Sequence, residues 1–162
     1  MNNTKKIVTI VVAILIPLIV GGISAALTSN AMSTFGQLNQ PPLSPPGWLF
    51  PIAWTVLYVL MGISSYLVFA NDSTDASKRM ARKSALIFYV IQLIFNFCWS
   101  LLFFGAELRY IAFIWLLVMW VLIVITMIQF AKVNKVAMYL LIPYICWTTF
   151  AGYLNVMVAV MN

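Results

Sequence analysis

Charged residues divide the chain into long apolar blocks. No Asp, Glu, Lys or Arg occurs from Ile7 to Asn71 (65 residues), from Ser84 to Ala106 (23), from Tyr110 to Ala131 (22) or from Val136 to Asn162 (27). A helix rises about 1.5 Å per residue, so about 20 residues cross the roughly 30 Å hydrocarbon core of a bilayer. Each of the last three blocks is one span. The first is too long for one, and it is broken at residues 39–47, N-Q-P-P-L-S-P-P-G, where four prolines forbid a continuous helix. The pattern predicts a single all-α domain over residues 1–162, a bundle of five transmembrane helices at about 7–29, 47–70, 84–105, 110–131 and 136–160, with a proline-rich loop at 30–46. A closed β-barrel would need short alternating strands instead of these blocks.

The basic residues turn the spans into a topology. Lys5, Lys6, Lys78, Arg79, Arg82, Lys83, Lys132 and Lys135 fall on one side of five alternating spans, and Arg109 alone on the other. By the positive-inside rule this 8:1 bias puts the N-terminus and the even loops in the cytoplasm. The expected location is a bacterial cytoplasmic membrane, since no basic tail follows the last span. The stiff, uncharged first loop then lies outside, as a lid over the bundle mouth or as a rigid connector. Lys5 and Lys6 before an apolar stretch resemble a signal peptide, but the stretch is too long for an h-region. Gly21-x-x-x-Ala25 and Gly22-x-x-x-Ala26 give it a small-residue face suited to helix packing, so it is expected to stay as the first helix.

Composition narrows the chemistry. The 162 residues are 64% hydrophobic and 7% charged, against about 25% charged in soluble domains. With no His and three carboxylates, the chain lacks the side chains for His-ligated metal or haem sites, Ser-His-Asp triads and carboxylate-rich metal centres. Ion-coupled relays use intramembrane Asp, Glu or His, which the uncharged blocks do not contain, and no phosphate-binding P-loop occurs. The net charge of +6 is scattered in small clusters, unlike the continuous basic face of a nucleic-acid binder. Cys98 and Cys146, in apolar runs without a C-x-x-C pattern, read as buried structural thiols. No cofactor is expected.

Primary amides inside apolar helices need a reason, because an unsatisfied polar group is costly in hydrocarbon. Gln92, Asn96, Trp99 and Phe103 follow at i, i+4, i+7 and i+11, one continuous helical stripe. In the fifth span Tyr144, Trp147, Ala151, Leu154 and Asn155 share a face, as do Trp54, Tyr58 and Met61 in the second. Two readings stand side by side. Amides join helices and Trp and Tyr sit in interfacial belts, or the three faces converge on a pocket suited to a flat hydrophobic ligand with polar edges. Pro17 and Pro143, inside the first and fifth spans, would permit kinks that widen such a pocket.

Four blocks carry a resemblance: L-N-Q-P-P-L-S-P-P-G-W (38–48), W-T-V-L-Y-V-L-M-G (54–62), Q-L-I-F-N-F-C-W-S-L-L-F-F-G-A (92–106) and L-I-P-Y-I-C-W-T-T-F-A-G-Y-L-N (141–155). In this order they resemble the TspO/translocator-protein family, also called the tryptophan-rich sensory protein or peripheral-type benzodiazepine receptor family. The resemblance implies a five-helix membrane protein, often a homodimer, that binds porphyrins such as protoporphyrin IX and, in some members, sterols and benzodiazepine-type synthetic ligands, as a receptor, sensor or transporter. Carried onto this chain, the pocket residues implied are Trp54, Tyr58, Gln92, Asn96, Trp99, Trp147, Ala151 and Leu154, joined by Phe103 and Tyr144 of the same stripes. Some bacterial members are reported to degrade protoporphyrin in light, which implies photochemical roles for Trp54 and Trp147. Against the family pattern, this chain has Phe35-Gly36 for an early W-Y pair, Gln40 and Leu43 for a Lys and a Trp, Trp115 for an Asp and Ile111 for a Trp. No basic residue follows Leu154 to complete a sterol-recognition motif.

Overall fold

The computed structural model describes residues 2–29, 36–71 and 75–162. Five helices are long and apolar enough to cross a membrane. They are α1 (Asn3–Leu27), α2 (Leu49–Phe69), α3 (Ala76–Ser100) extended by a π-helical turn (Leu101–Gly105), α4 (Arg109–Val133), and a fifth span made of the short α5 (Lys135–Tyr139) and α6 (Ile142–Met161). Helix α3 begins eight residues before its uncharged block, because Asp75 caps it by accepting from the Ser77 N–H at 2.8 Å. The basic run 78–83 is therefore helical and stands clear of the apolar span.

The helices close a ring in which α1 touches α2 and α3, α3 touches α4, α4 touches α5 and α6, and α5 returns to α2. The outward surface is apolar, with Ile19, Ile114 and Val121 at least half exposed; such a face has lipid as its solvent. Polar contacts at the basic end tie the ring together. The Ser64 hydroxyl donates to the Ala137 carbonyl at 2.6 Å, and Asn71 Nδ2 donates to the Val133 carbonyl at 3.2 Å.

Pro17 lies inside α1 and cannot donate to the Ala13 carbonyl. That carbonyl faces α2 at Gly62: a Cβ placed on Gly62 would stand 2.7 Å from it and 2.4 Å from Ile14 Cα. Only a residue without a side chain admits this approach. The small-residue face expected on α1 divides here. Gly21 faces the Tyr58 ring, whereas Gly22 has nothing within 4 Å.

Two expectations are corrected. Pro143 does not kink a long fifth helix, because the helix breaks between Tyr139 and Ile142 and Pro143 falls in the first turn of α6, where its missing N–H leaves no bond unmade. The cysteines are not buried: Cys98 is partly covered and Cys146 is exposed on the outer face. An apolar run in a membrane span marks lipid-facing positions as readily as core ones.

The first loop is described from Gly36 onward, and Phe35 lies outside the described residues. Pro41 to Ser44 form a turn closed by Ser44 N–H to Pro41 carbonyl at 3.1 Å, with exposed Leu43 at φ +68°, a position that favours glycine. The loop is fastened to α6. Asn39 and Asn162 exchange hydrogen bonds of 2.9 and 3.2 Å, and the Tyr153 hydroxyl donates to the Pro42 carbonyl at 2.8 Å.

Candidate functional site

At the end of the bundle where this loop meets α6 lies a cavity of about 230 Å³. Helix α2 supplies Phe50, Trp54 and Tyr58, α3 supplies Trp99, Phe103 and Phe104, and α6 supplies Trp147, Ala151, Leu154 and Asn155. Helix α1 adds Gly21, Ser24, Ala25 and Thr28, and the loop adds Gly47. The wall rings fall into two groups, one around Trp54 and Trp99 and one around Trp147. Trp54 stacks on Tyr58 at 5.5 Å and lies 6.3 Å from Trp99, which stacks on Phe103 at 5.3 Å; Phe50 meets Trp147 edge-on at 6.0 Å. Offset and edge-to-face pairs of this kind add to what burial alone contributes.

The amides lie beneath this aromatic layer. The Tyr58 hydroxyl donates to Asn96 Oδ1 at 2.7 Å, Asn96 Nδ2 donates to the Tyr144 oxygen at 3.1 Å, and the Tyr144 hydroxyl donates to Gln92 Oε1 at 2.9 Å. Gln92, Asn96 and Tyr144 are about 99% buried and do not line the cavity. Both readings of the stripes therefore hold at different depths. The amide level joins α2, α3 and α6, and the aromatic level above it encloses space. Of the ten residues expected at the site, Trp54, Tyr58, Trp99, Phe103, Trp147, Ala151 and Leu154 reach the cavity, and the other three support its floor.

A second clamp fixes Trp99. Its indole N–H donates to Asn155 Oδ1 at 3.1 Å, and Asn155 Nδ2 donates to the Arg109 carbonyl at 2.8 Å. Two buried polar atoms on cavity-lining residues have no partner, the Trp147 indole nitrogen and the Ser24 hydroxyl. Helix α4 adds nothing to the lining. Trp115 stacks on Phe95 at 4.3 Å and donates to the Phe95 carbonyl at 2.9 Å, and Ile111 is half exposed. Trp147 and Phe150 also border an outward-facing hollow between α2 and α6, with Val56, Leu57 and Cys146.

Sequence spacing missed Phe104, because in an α-helix it would leave the face of Trp99 and Phe103. The π turn, closed by Ala106 N–H to Leu101 carbonyl at 2.8 Å, is wider and lets consecutive phenylalanines reach one cavity. It also missed the α1 contribution, for which the Gly21/Ala25 pair was the available signal.

A ring of five apolar spans around an aromatic-walled cavity defines a polytopic membrane protein. Residues 13–161 match the TspO/MBR family. The chain is 35% identical to the tryptophan-rich protein TspO of Chlorobaculum tepidum, with 98% of each chain covered. It is 36% identical to the tryptophan-rich sensory protein of Cereibacter sphaeroides over 75% of this chain and 72% of that one, and 36% identical to the translocator protein of Ovis aries over 75% and 70%. The chain belongs to the TspO/MBR family of membrane proteins.

Proposed function

We propose that the protein is a receptor, sensor or transporter that binds porphyrins of the protoporphyrin IX type between its helices, in a bacterial cytoplasmic membrane, as a homodimer with its N-terminus in the cytoplasm. The observation that carries this reading is the convergence of Trp54, Tyr58, Trp99 and Trp147 on one cavity. Flat π surfaces suit an aromatic macrocycle. The cavity volume of about 230 Å³ is below the roughly 300–1,000 Å³ of drug-sized pockets. A two- or three-ring benzodiazepine-type ligand fits this space more easily, and a tetrapyrrole enters edge-on with the 36–48 loop displaced. Among the described residues, the hydrogen bonds from Asn39 and Pro42 to α6 are exposed, which suits the loop to act as a lid.

Titrating protoporphyrin IX into the purified protein while following tryptophan emission tests the proposal. Saturable quenching is expected. A merely linear response would leave a membrane regulatory protein without a small-molecule ligand.

A second reading makes the protein an enzyme that degrades protoporphyrin in light. Trp54, within 6.3 Å of Trp99 and Tyr144, favours it. An indole beside a photoexcited porphyrin can donate one electron, becoming oxidised as the porphyrin is reduced, and neighbouring rings can share the hole. Illuminated protein should then yield a new porphyrin product, and Trp54→Phe and Trp147→Phe should slow its formation. Equal product from wild type and both variants would reject those roles.

A further inference from the structure

On the outside of the bundle, α1 and α3 diverge around a groove of about 690 Å³ that is distinct from the aromatic cavity. Its walls are apolar almost throughout. Thr9, Val12, Ile16, Val20 and Ile23 form the α1 side, Leu86, Val90, Leu93 and Phe97 form the α3 side, and Ser65 and Phe69 of α2 lie at its base. From Thr9 to Ile23 the helix rises roughly 21 Å, more than the depth of one leaflet.

Both walls continue into positive charge at the same end. Lys5 stands one turn before Thr9 on the same α1 face, with the Thr9 hydroxyl bonded to the Lys5 carbonyl at 2.8 Å. On α3 the groove face extends backward from Leu86 to Lys83, Arg82 and Arg79 at i−3, i−4 and i−7. The Arg82 guanidinium donates to the carbonyls of Phe69 and Asn71, at 3.3 and 2.9 Å, which fixes the basic start of α3 against the end of α2 where Phe69 borders the groove. Among the described residues, Lys5, Lys6, Arg79 and Lys83 have no carboxylate partner.

We propose that this groove binds one anionic phospholipid of the surrounding bilayer, its acyl chain between α1 and α3 and its phosphate among Lys5, Arg79 and Lys83. A neutral lipid gains the apolar contacts alone. An anionic one also neutralises cations that have no carboxylate partner among the described residues, and each basic group near a membrane surface adds to the attraction. Selection by charge thus comes from the mouth, and retention from the apolar length below it.

The test uses the full-length protein in detergent, mixed with phosphatidylglycerol and phosphatidylcholine of matched acyl chains, with retained lipid counted by native mass spectrometry. Phosphatidylglycerol should be retained in preference. Its advantage should fall by about fivefold for each charge removed across Lys5→Gln, Arg79→Gln and Lys83→Gln. Because these residues are on exposed turns, circular dichroism should remain that of the wild type. Ile16→Trp with Ile94→Trp, the latter also on the α3 wall, fills the groove and should reduce retention of both lipids. Equal retention by wild type, or a preference that survives the triple substitution, would overturn the proposal. Disulfide cross-linking between two copies of an Ile16→Cys variant in bilayers would also overturn it, because a second copy would then occupy the groove.

Discussion

The indole N–H of Trp99 meets Oδ1 of Asn155 at 3.1 Å, and through this bond α3 is held to α6 beside the cavity. Asn155 is fully buried and also donates to the Arg109 carbonyl, so one amide connects three helices. Asn155→Leu removes both bonds at nearly constant volume. Interhelical hydrogen bonds in membranes contribute about 0.6 kcal/mol on average and up to about 1.7. A loss of about 1 to 2 kcal/mol is expected in a denaturation titration in micelles, with weaker porphyrin quenching because Trp99 loses its fixed orientation. Stability equal to wild type would show that the clamp contributes nothing.

Glycines in these helices should differ sharply in what they tolerate. Gly62→Ala sets a methyl against the α1 backbone, and relief requires the helices to separate; overpacking of this kind costs about 1 to 3 kcal/mol. Gly22→Ala meets nothing and gains up to about 1 kcal/mol of helix propensity. Thermal unfolding of the two variants should therefore shift in opposite directions.

Ala151 tests the cavity. Ala151→Phe fills space opposite Trp54 and Trp99 and should weaken protoporphyrin binding by about tenfold or more, with helicity retained. Unaltered affinity would mean that this face of α6 does not meet the ligand.

Tyr153→Phe tests the loop. Removing the bond to the Pro42 carbonyl frees one of the few attachments between the loop and α6, without altering any residue that lines the cavity. Stopped-flow quenching should show faster association and faster dissociation, with a nearly unchanged ratio. Unchanged rates would assign the loop the role of a rigid connector.

The spans were legible because intramembrane charge is so costly that its absence marks each crossing; Arg109 and Lys132 bound the fourth span almost where the helix ends. The stripe Gln92, Asn96, Trp99 was legible as a face but not as a function. Spacing gives direction around a helix and says nothing of depth, and depth separates the Asn96 amide, spent on Tyr58 and Tyr144, from the Trp99 ring that lines the cavity. Phe104 was hidden for a different reason, because the π turn departs from 3.6-residue periodicity without any signal in the apolar sequence around it. The break before Ile142 did carry a signal in Pro143, which suits the first turn of a new helix as well as a kink inside a long one.

Trp147 lies between the aromatic cavity and the hollow between α2 and α6 on the outer surface, lining both. Rotation of that one indole would merge the two, and a guest dissolved among acyl chains would then arrive without passing through water. Apparent potency across a series of guests would track partitioning into the bilayer as well as fit, and dilution with excess detergent would weaken every guest together.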